Sequence, residues 1–168
     1  MNNKEKIQSF AKNGYDDKPE RQAFRKMQWR DEAFKAFIKD YAQLDMQDGP
    51  FQIIEDPLGE YQVDLGMVDS TDKIVGLIEV DVFNDWHDKW PFYYKWCHRL
   101  GRKTKYWINN SYPYINVTFN ENHNDAIVTT REIESQYPIK HKWFKVKKMY
   151  DDVREVPISR AIKFGDSS

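Results

Sequence analysis

The segment Gly76-Leu-Ile-Glu-Val-Asp-Val-Phe83 combines the apolar character of an interior β-strand with two carboxylates, Glu79 and Asp81. Side chains alternate between faces along a strand, so Glu79 and Asp81 share a face with Leu77, while Ile78, Val80 and Val82 share the other. Asp64 stands in the preceding segment, Tyr61 to Met67, where apolar and polar residues alternate as in a half-buried strand. A short turn from Asp69 to Lys73 would bring Asp64 close to the pair. Carboxylates gathered in a partly apolar setting repel one another and lose hydration. A divalent cation offsets both effects, because Mg²⁺ takes oxygen ligands and keeps several waters for chemistry. An Arg or Lys partner, or a raised pKa, would also serve. The plainer reading makes Glu79 and Asp81 the outward half of a solvated strand, and spacing alone leaves both readings open.

A second concentration of chemistry follows. The stretch Trp90 to Trp96 interleaves Phe92, Tyr93 and Tyr94 with Lys95, and Arg99, Arg102, Lys103 and Lys105 come next. Aromatics mixed with cations suit a nucleic-acid face, through stacking on bases and contacts to phosphates. Trp and Tyr also dominate cores and dimer surfaces. That reading comes first for Phe92, Tyr94 and Trp96, and the nucleic-acid reading comes first for the cations. Lys140 to Lys148 (KHKWFKVKK) form another basic cluster, in which Lys140, Lys142 and Phe144 would point the same way on a strand. The four histidines are scattered, and only His87, beside Asp85 and Asp88, has acidic neighbours worth noting. No glycine-rich phosphate loop and no G-x-S-x-G is present, which disfavours P-loop and serine-nucleophile chemistry.

These residues need a scaffold. The chain of 168 residues, 40% hydrophobic and 15% aromatic, is long enough for one domain with its own core. Residues 1–19 read as a polar lead-in. From Pro19 to Leu44 apolar residues recur at three- and four-residue steps, which predicts one amphipathic helix, stopped at Asp48-Gly49-Pro50. Three strands joined by short turns follow, from Phe51, Tyr61 and Ile74. Beyond the aromatic insertion come a short helix at Arg102 to Ile108 and a hairpin of Tyr114 to Asn120 with Ala126 to Thr130. Residues 131–150 are ambiguous, and 151–168 read as a polar, peripheral tail. The domain would therefore span 20–150, as an α/β or α+β sandwich around a mixed β-sheet with flanking helices.

This order, with "YQVDLG" and "GLIEVDV" in succession, resembles the core of PD-(D/E)XK nucleases, and the later Trp86, Pro91, Arg102-Lys103 and Lys105-Tyr106 are similar to small phage-encoded members. The resemblance covers roughly residues 20–120 and implies a restriction-endonuclease-like core. It implies that Asp64 and Glu79 hold Mg²⁺ or Mn²⁺, with Asp81 as an additional or water-mediated ligand. The metal-bound water would attack a DNA phosphodiester. Val63 stands where the family often has Pro, and Asp81 stands where it has Lys. The resemblance then implies a lysine from another element, Lys103 first, or a protein that keeps the fold and binds nucleic acid or a protein without cutting.

The expected partner is DNA, with Arg99, Arg102, Lys103 and Lys105 contacting it, and a homo-oligomer is compatible with the sequence. The net charge of −1 gives no overall pull towards polyanions or membranes, so a binding face must be local. No run of about 18 apolar residues predicts a membrane span. The lone Cys97 and the lack of a secretory h-region point to a reducing compartment, the cytoplasm, or the host cytoplasm if the chain is phage-encoded.

Overall fold

The computed structural model describes residues 18–42, 52–59, 62–91 and 93–165. The stop at Asp48-Gly49-Pro50, Phe51, Tyr61, Phe92 and nearly all of the polar lead-in lie outside the described residues. The fold is mixed α and β, with a six-stranded sheet, a three-stranded sheet and a few helices.

The expected long helix is two helices, α1 (Pro19–Arg30) and α2 (Glu32–Ala42), separated by Asp31. Pro19 opens α1, where a missing N–H costs nothing. Asp31 is extended at φ −106°, and its Oδ1 accepts from Phe34 N, which caps α2. The hydrophobic period runs through the break, so periodicity alone did not reveal it. The apolar stripe (Phe24, Met27, Phe34, Ile38) packs on one face of the larger sheet, against Ile78, Val80, Val117 and Phe119.

The larger sheet runs β1 (Gln52–Glu55), β2 (Leu65–Val68), β3 (Ile74–Phe83), β5 (Tyr114–Asn120), β6 (Asp125–Thr130) and β9 (Ile162–Gly165), in that spatial order. Strands β1, β2 and β3 are successive antiparallel neighbours, and β5 pairs parallel with β3. A parallel pair needs a crossover. Here it carries β4 (Trp96–Leu100) and a 3₁₀ turn (Gly101–Tyr106) across the face of β3 opposite the helices. The short helix predicted at 102–108 is this 3₁₀ turn. Leu77 packs there with Val63, Tyr106, Trp107 and Tyr114.

Residues 151–165, expected as part of a peripheral tail at 151–168, are built into both sheets. β8 (Met149–Pro157) is the middle strand of a second sheet, between β4 and β7 (Ile139–Phe144), and Val153 and Val156 are fully buried. β9 closes the larger sheet beside β6, and Phe164 stacks edge-on against Phe34. The structural unit thus runs past residue 150 to Gly165. There φ is +113° and any Cβ would meet Asn124 O at 2.3 Å, so only glycine fits. The small sheet is only partly covered, so its strands carry many charges and resemble a solvated tail in sequence.

Candidate metal and phosphate cleft

Strand β3 is buried on both sides from Gly76 to Val80, and Glu79 emerges from it on the crossover side. Its carboxylate is fixed at both oxygens. Oε1 accepts from Asp64 N at 3.1 Å, and Oε2 lies 2.8 Å from Lys103 Nζ. Asp64, just before β2, is held as firmly. Its Oδ2 accepts from Val80 N at 3.2 Å, and its Oδ1 accepts from Arg21 Nη2 at 3.0 Å, with Lys18 Nζ 3.5 Å away. Arg21 in turn donates to both oxygens of Asp56 at 3.1 Å.

These side chains border a cleft of about 400 Å³, lined also by Asp81, His98, Arg102, Lys105 and Asn116. The crossover explains the convergence. The chain leaves β3, returns through β4, and the 3₁₀ turn then brings Lys103 back over the strand it left. Asn116 is the register partner of Glu79 on β5, so it faces the same space.

The electrostatics follow from burial. Glu79 is 5% exposed. Desolvation pushes its pKa up, and the charge of Asp64 adds to this, while Lys103 pulls it down; it settles at about 7. Glu79 is therefore poised between its two protonation states near neutrality. Arg21 is held as the cation by its hydrogen bonds to Asp56 and Asp64, which overcome the opposing effect of burial.

The expected site residues divide. Asp64, Glu79, Lys103, Arg102 and Lys105 all line the cleft. Asp81 lines it too, but stands apart from the other two carboxylates. Its side chain is 59% exposed, it accepts from Thr118 Oγ1 at 2.6 Å, and Arg99 Nη1 is 4.0 Å away. Among the described residues no group of three or more His, Cys, Asp or Glu is arranged to hold a metal, so a triad of Asp64, Glu79 and Asp81 is not formed.

Arg99 is the clearer correction. It is 2% exposed and donates to Thr118 Oγ1, Thr129 Oγ1 and Asn116 O. Its cation ties β4 to β5 and β6 and is not part of the lining of the cleft. Trp96, expected in the core, is 43% exposed, and His87 contacts Glu121 at the surface.

Sequence reasoning missed Arg21, Lys18 and Asp56. Arg21 carried a signal. It lies three residues before Phe24 and six before Met27, on the core-facing stripe of a helix, and a cation there demands a buried carboxylate.

The two carboxylates fit a hydrated divalent ion. Mg²⁺ is commonly held through one or two carboxylates and keeps its remaining ligands as water. Each oxygen of Asp64 and Glu79 has a lone pair beyond the bond it accepts, and the cleft has room for waters and a phosphate. No protein-family model, curated protein or solved structure matches this chain.

Proposed function

We propose that this chain is a divalent-cation-dependent nuclease acting on DNA, with a core of the PD-(D/E)XK type. The observation that carries the reading is the 2.8 Å contact of Lys103 Nζ with Glu79 Oε2, in the cleft that also holds Asp64. Asp81 occupies the usual lysine position, and the ammonium arrives from the 3₁₀ turn instead.

A bound Mg²⁺ or Mn²⁺ would supply an activated water and a Lewis acid for the phosphodiester. Asp64 and Glu79 would hold the ion through their open lone pairs. Lys103 pulls the Glu79 pKa down against burial and presents positive charge where charge develops on phosphate. Arg102 and Lys105, both exposed at the cleft, would hold flanking phosphates. Asn116 offers a neutral donor on the cleft floor.

One observation favours a second reading, a binding module that does not cut. All four carboxylate oxygens already accept bonds, and Arg21 and Lys103 offset both charges without a metal. The experiment that separates the two is cleavage of plasmid and oligonucleotide substrates with Mg²⁺ or Mn²⁺. The nuclease reading expects cutting by the wild type and a loss of about 10²- to 10³-fold in Lys103→Ala. It also expects Mn²⁺ to raise the melting temperature, and Asp64→Ala to remove that rise. An inert wild type that gains cutting with Asp81→Lys would establish the binding module.

A further inference from the structure

Outside the cleft, the most unusual surface is the end of the β7–β8 hairpin. Strand β4 pairs with β8 only over Val153–Pro157. Beyond it, His141–Phe144 and Met149–Asp152 pair only with each other, as a two-stranded ribbon. Such a ribbon has little core, and it would be expected to end in polar residues. Instead Trp143 is 53% exposed, Tyr150 58%, Met149 49% and the turn residue Val146 97%.

The ribbon is also strongly basic. Residues 139–152 hold Lys140, Lys142, Lys145, Lys147 and Lys148 against Asp151 and Asp152, and Asp152 Oδ1 lies 2.8 Å from His141 Nδ1. Lys140 and Lys142 are tied to Glu155, at 3.4 and 3.1 Å. Lys145, Lys147 and Lys148 at the turn are exposed and, among the described residues, have no carboxylate partner.

Register assigns the two faces. Lys140, Lys142 and Phe144 share one face with His98, and His141, Trp143 and Tyr150 share the other. On the second face the His141 ring stacks on Tyr150 at 4.9 Å and 7°, and Trp143 meets Tyr150 edge-on at 5.1 Å. On the first, Phe144 meets the His98 ring at 5.7 Å, and His98 lines the cleft. The ribbon therefore curls back towards the cleft wall. Its base is equally close, since a Cβ on Gly101 would meet Asp152 O and Ile139 at 3.1 Å, one residue before Arg102.

We propose that this ribbon is a binding arm for unpaired nucleotides of DNA, next to the cleft. The turn lysines would take the backbone phosphates, and Trp143 and Tyr150 would stack on exposed bases. Aromatics interleaved with cations recognise single strands in this way, because every unpaired base offers a face for stacking. A paired base does not. The proposal rests on the reading of the cleft as a nucleic-acid site and extends it to a substrate with a single-stranded stretch beside the scissile bond. A second copy fits less well. Isologous pairing along the β7 edge would set the lysines of one ribbon against those of the other.

The test is fluorescence anisotropy with a labelled oligothymidine single strand and a blunt duplex, across a salt series. The wild type, Trp143→Ala/Tyr150→Ala and Lys145→Ala/Lys147→Ala/Lys148→Ala are compared, with near-ultraviolet circular dichroism and melting as controls of folding. The aromatic variant should bind the single strand about tenfold more weakly or worse, with a much smaller change on the duplex. The lysine variant should lower the salt slope by about two, near 0.7 per lost single-strand phosphate contact. Binding should quench tryptophan fluorescence in the wild type, and Trp143→Ala should remove that component.

Single-strand affinity and salt slope unchanged in both variants would overturn the arm while leaving metal-dependent cutting, if observed, intact. Loss of single-strand binding in ribbon variants of a chain that never cuts would uphold the arm and remove the nuclease. No binding to any nucleic acid at low salt would end both. A concentration-dependent dimer broken by the aromatic variant, or binding to phosphatidylserine vesicles, with no effect on oligonucleotide binding in either case, would overturn the proposal.

Discussion

The carboxyl groups of Glu79 and Glu134 are both buried, at 5% and 2% exposure, and desolvation pushes each pKa up to about 7. Each has a cation that works against this, Lys103 for Glu79 and Arg99 for Glu134. Their surroundings differ in one respect. Glu134 is enclosed by the small sheet: Thr129 Oγ1 donates to it at 3.2 Å, and Arg99 and Arg154, both buried, act on its charge. Glu79 opens onto a cleft, and its cation is partly exposed, with 23% of the Lys103 side chain accessible. A raised carboxyl pKa therefore does not identify a site by itself. What marks Glu79 is the same perturbation combined with room for a ligand and a cation partly open to the cleft.

The comparison is tested most severely at the arginines. Arg21 directly bonds two of the carboxylates behind the cleft, Asp56 and Asp64, and both ends of the Arg21–Asp56 pair are 1% exposed. Arg21→Ala would remove the guanidinium from two buried carboxylates, so the expected loss is about 3–5 kcal/mol, read by urea denaturation. Arg99 donates to neutral hydroxyls and a carbonyl. Replacing it with Met, which keeps most of its length, should cost clearly less. Equal losses would mean that the two networks differ in access alone, not in how they hold charge.

The next effect concerns pH. Between the unfolded carboxyl pKa of 4.5 and the folded value of about 7, the folded chain holds protons that the unfolded chain has released. The contribution of each group is therefore fully present below pH 4.5 and is lost as pH rises through 7. Each amounts to about 3 kcal/mol over that interval. Glu134→Gln and Glu79→Gln should each flatten the fall in stability between pH 5 and 8. Only Glu79→Gln should abolish the shift in melting temperature on adding Mn²⁺. If Glu134→Gln abolishes it as well, the distinction between the open and the enclosed site fails. Lys103→Ala has its own sign: Lys103 pulls the Glu79 pKa down, so its removal should move the midpoint above 7 in a carboxyl NMR titration.

Much of the open site was legible because its main elements are local. Alternation in β3 put Glu79 and Asp81 on one face, and the short turn before β3 brought Asp64 alongside. Lys103 came from the resemblance alone: with Asp81 in the usual lysine position, it implied an ammonium from the short helix expected beside the third strand. The enclosed site was not legible. Arg99, Thr129 and Glu134 come from β4, β6 and the helical turn after β6, and Arg99 meets the other two by reaching across from the small sheet to Thr129. Residues beyond 150 were read as tail because the charges along β8 fall in adjacent pairs, Asp151-Asp152 and Arg154-Glu155, which hides any period of two. The same composition describes a solvated tail and the half-covered strand of a small sheet. Asp31 was hidden for the opposite reason: the apolar period continues through the break, and only its capping bond to Phe34 marks the end of one helix and the start of the next.

The smallest expected effect is at Lys18, and it probes where the open site ends. Lys18 precedes the first turn of α1, and its ammonium lies 3.5 Å from Asp64 Oδ1 with 49% of the side chain exposed. An exposed pair of this kind contributes about 0–1 kcal/mol, because water screens the charges and the long side chain loses freedom when held. Arg21 already bonds the same oxygen at 3.0 Å, so Lys18 adds little to holding Asp64. Lys18→Ala should leave urea stability within about 1 kcal/mol of the wild type. Its effect should appear instead in ligand binding, since Lys18 lines the cleft mouth facing Arg102 and Lys105. The salt slope for duplex DNA should fall by about one in Lys18→Ala, as expected for one lost phosphate contact. A stability loss well above 1 kcal/mol with an unchanged salt slope would make Lys18 part of the buried Arg21 network, and the boundary between support and ligand surface would then lie further out than Asp64.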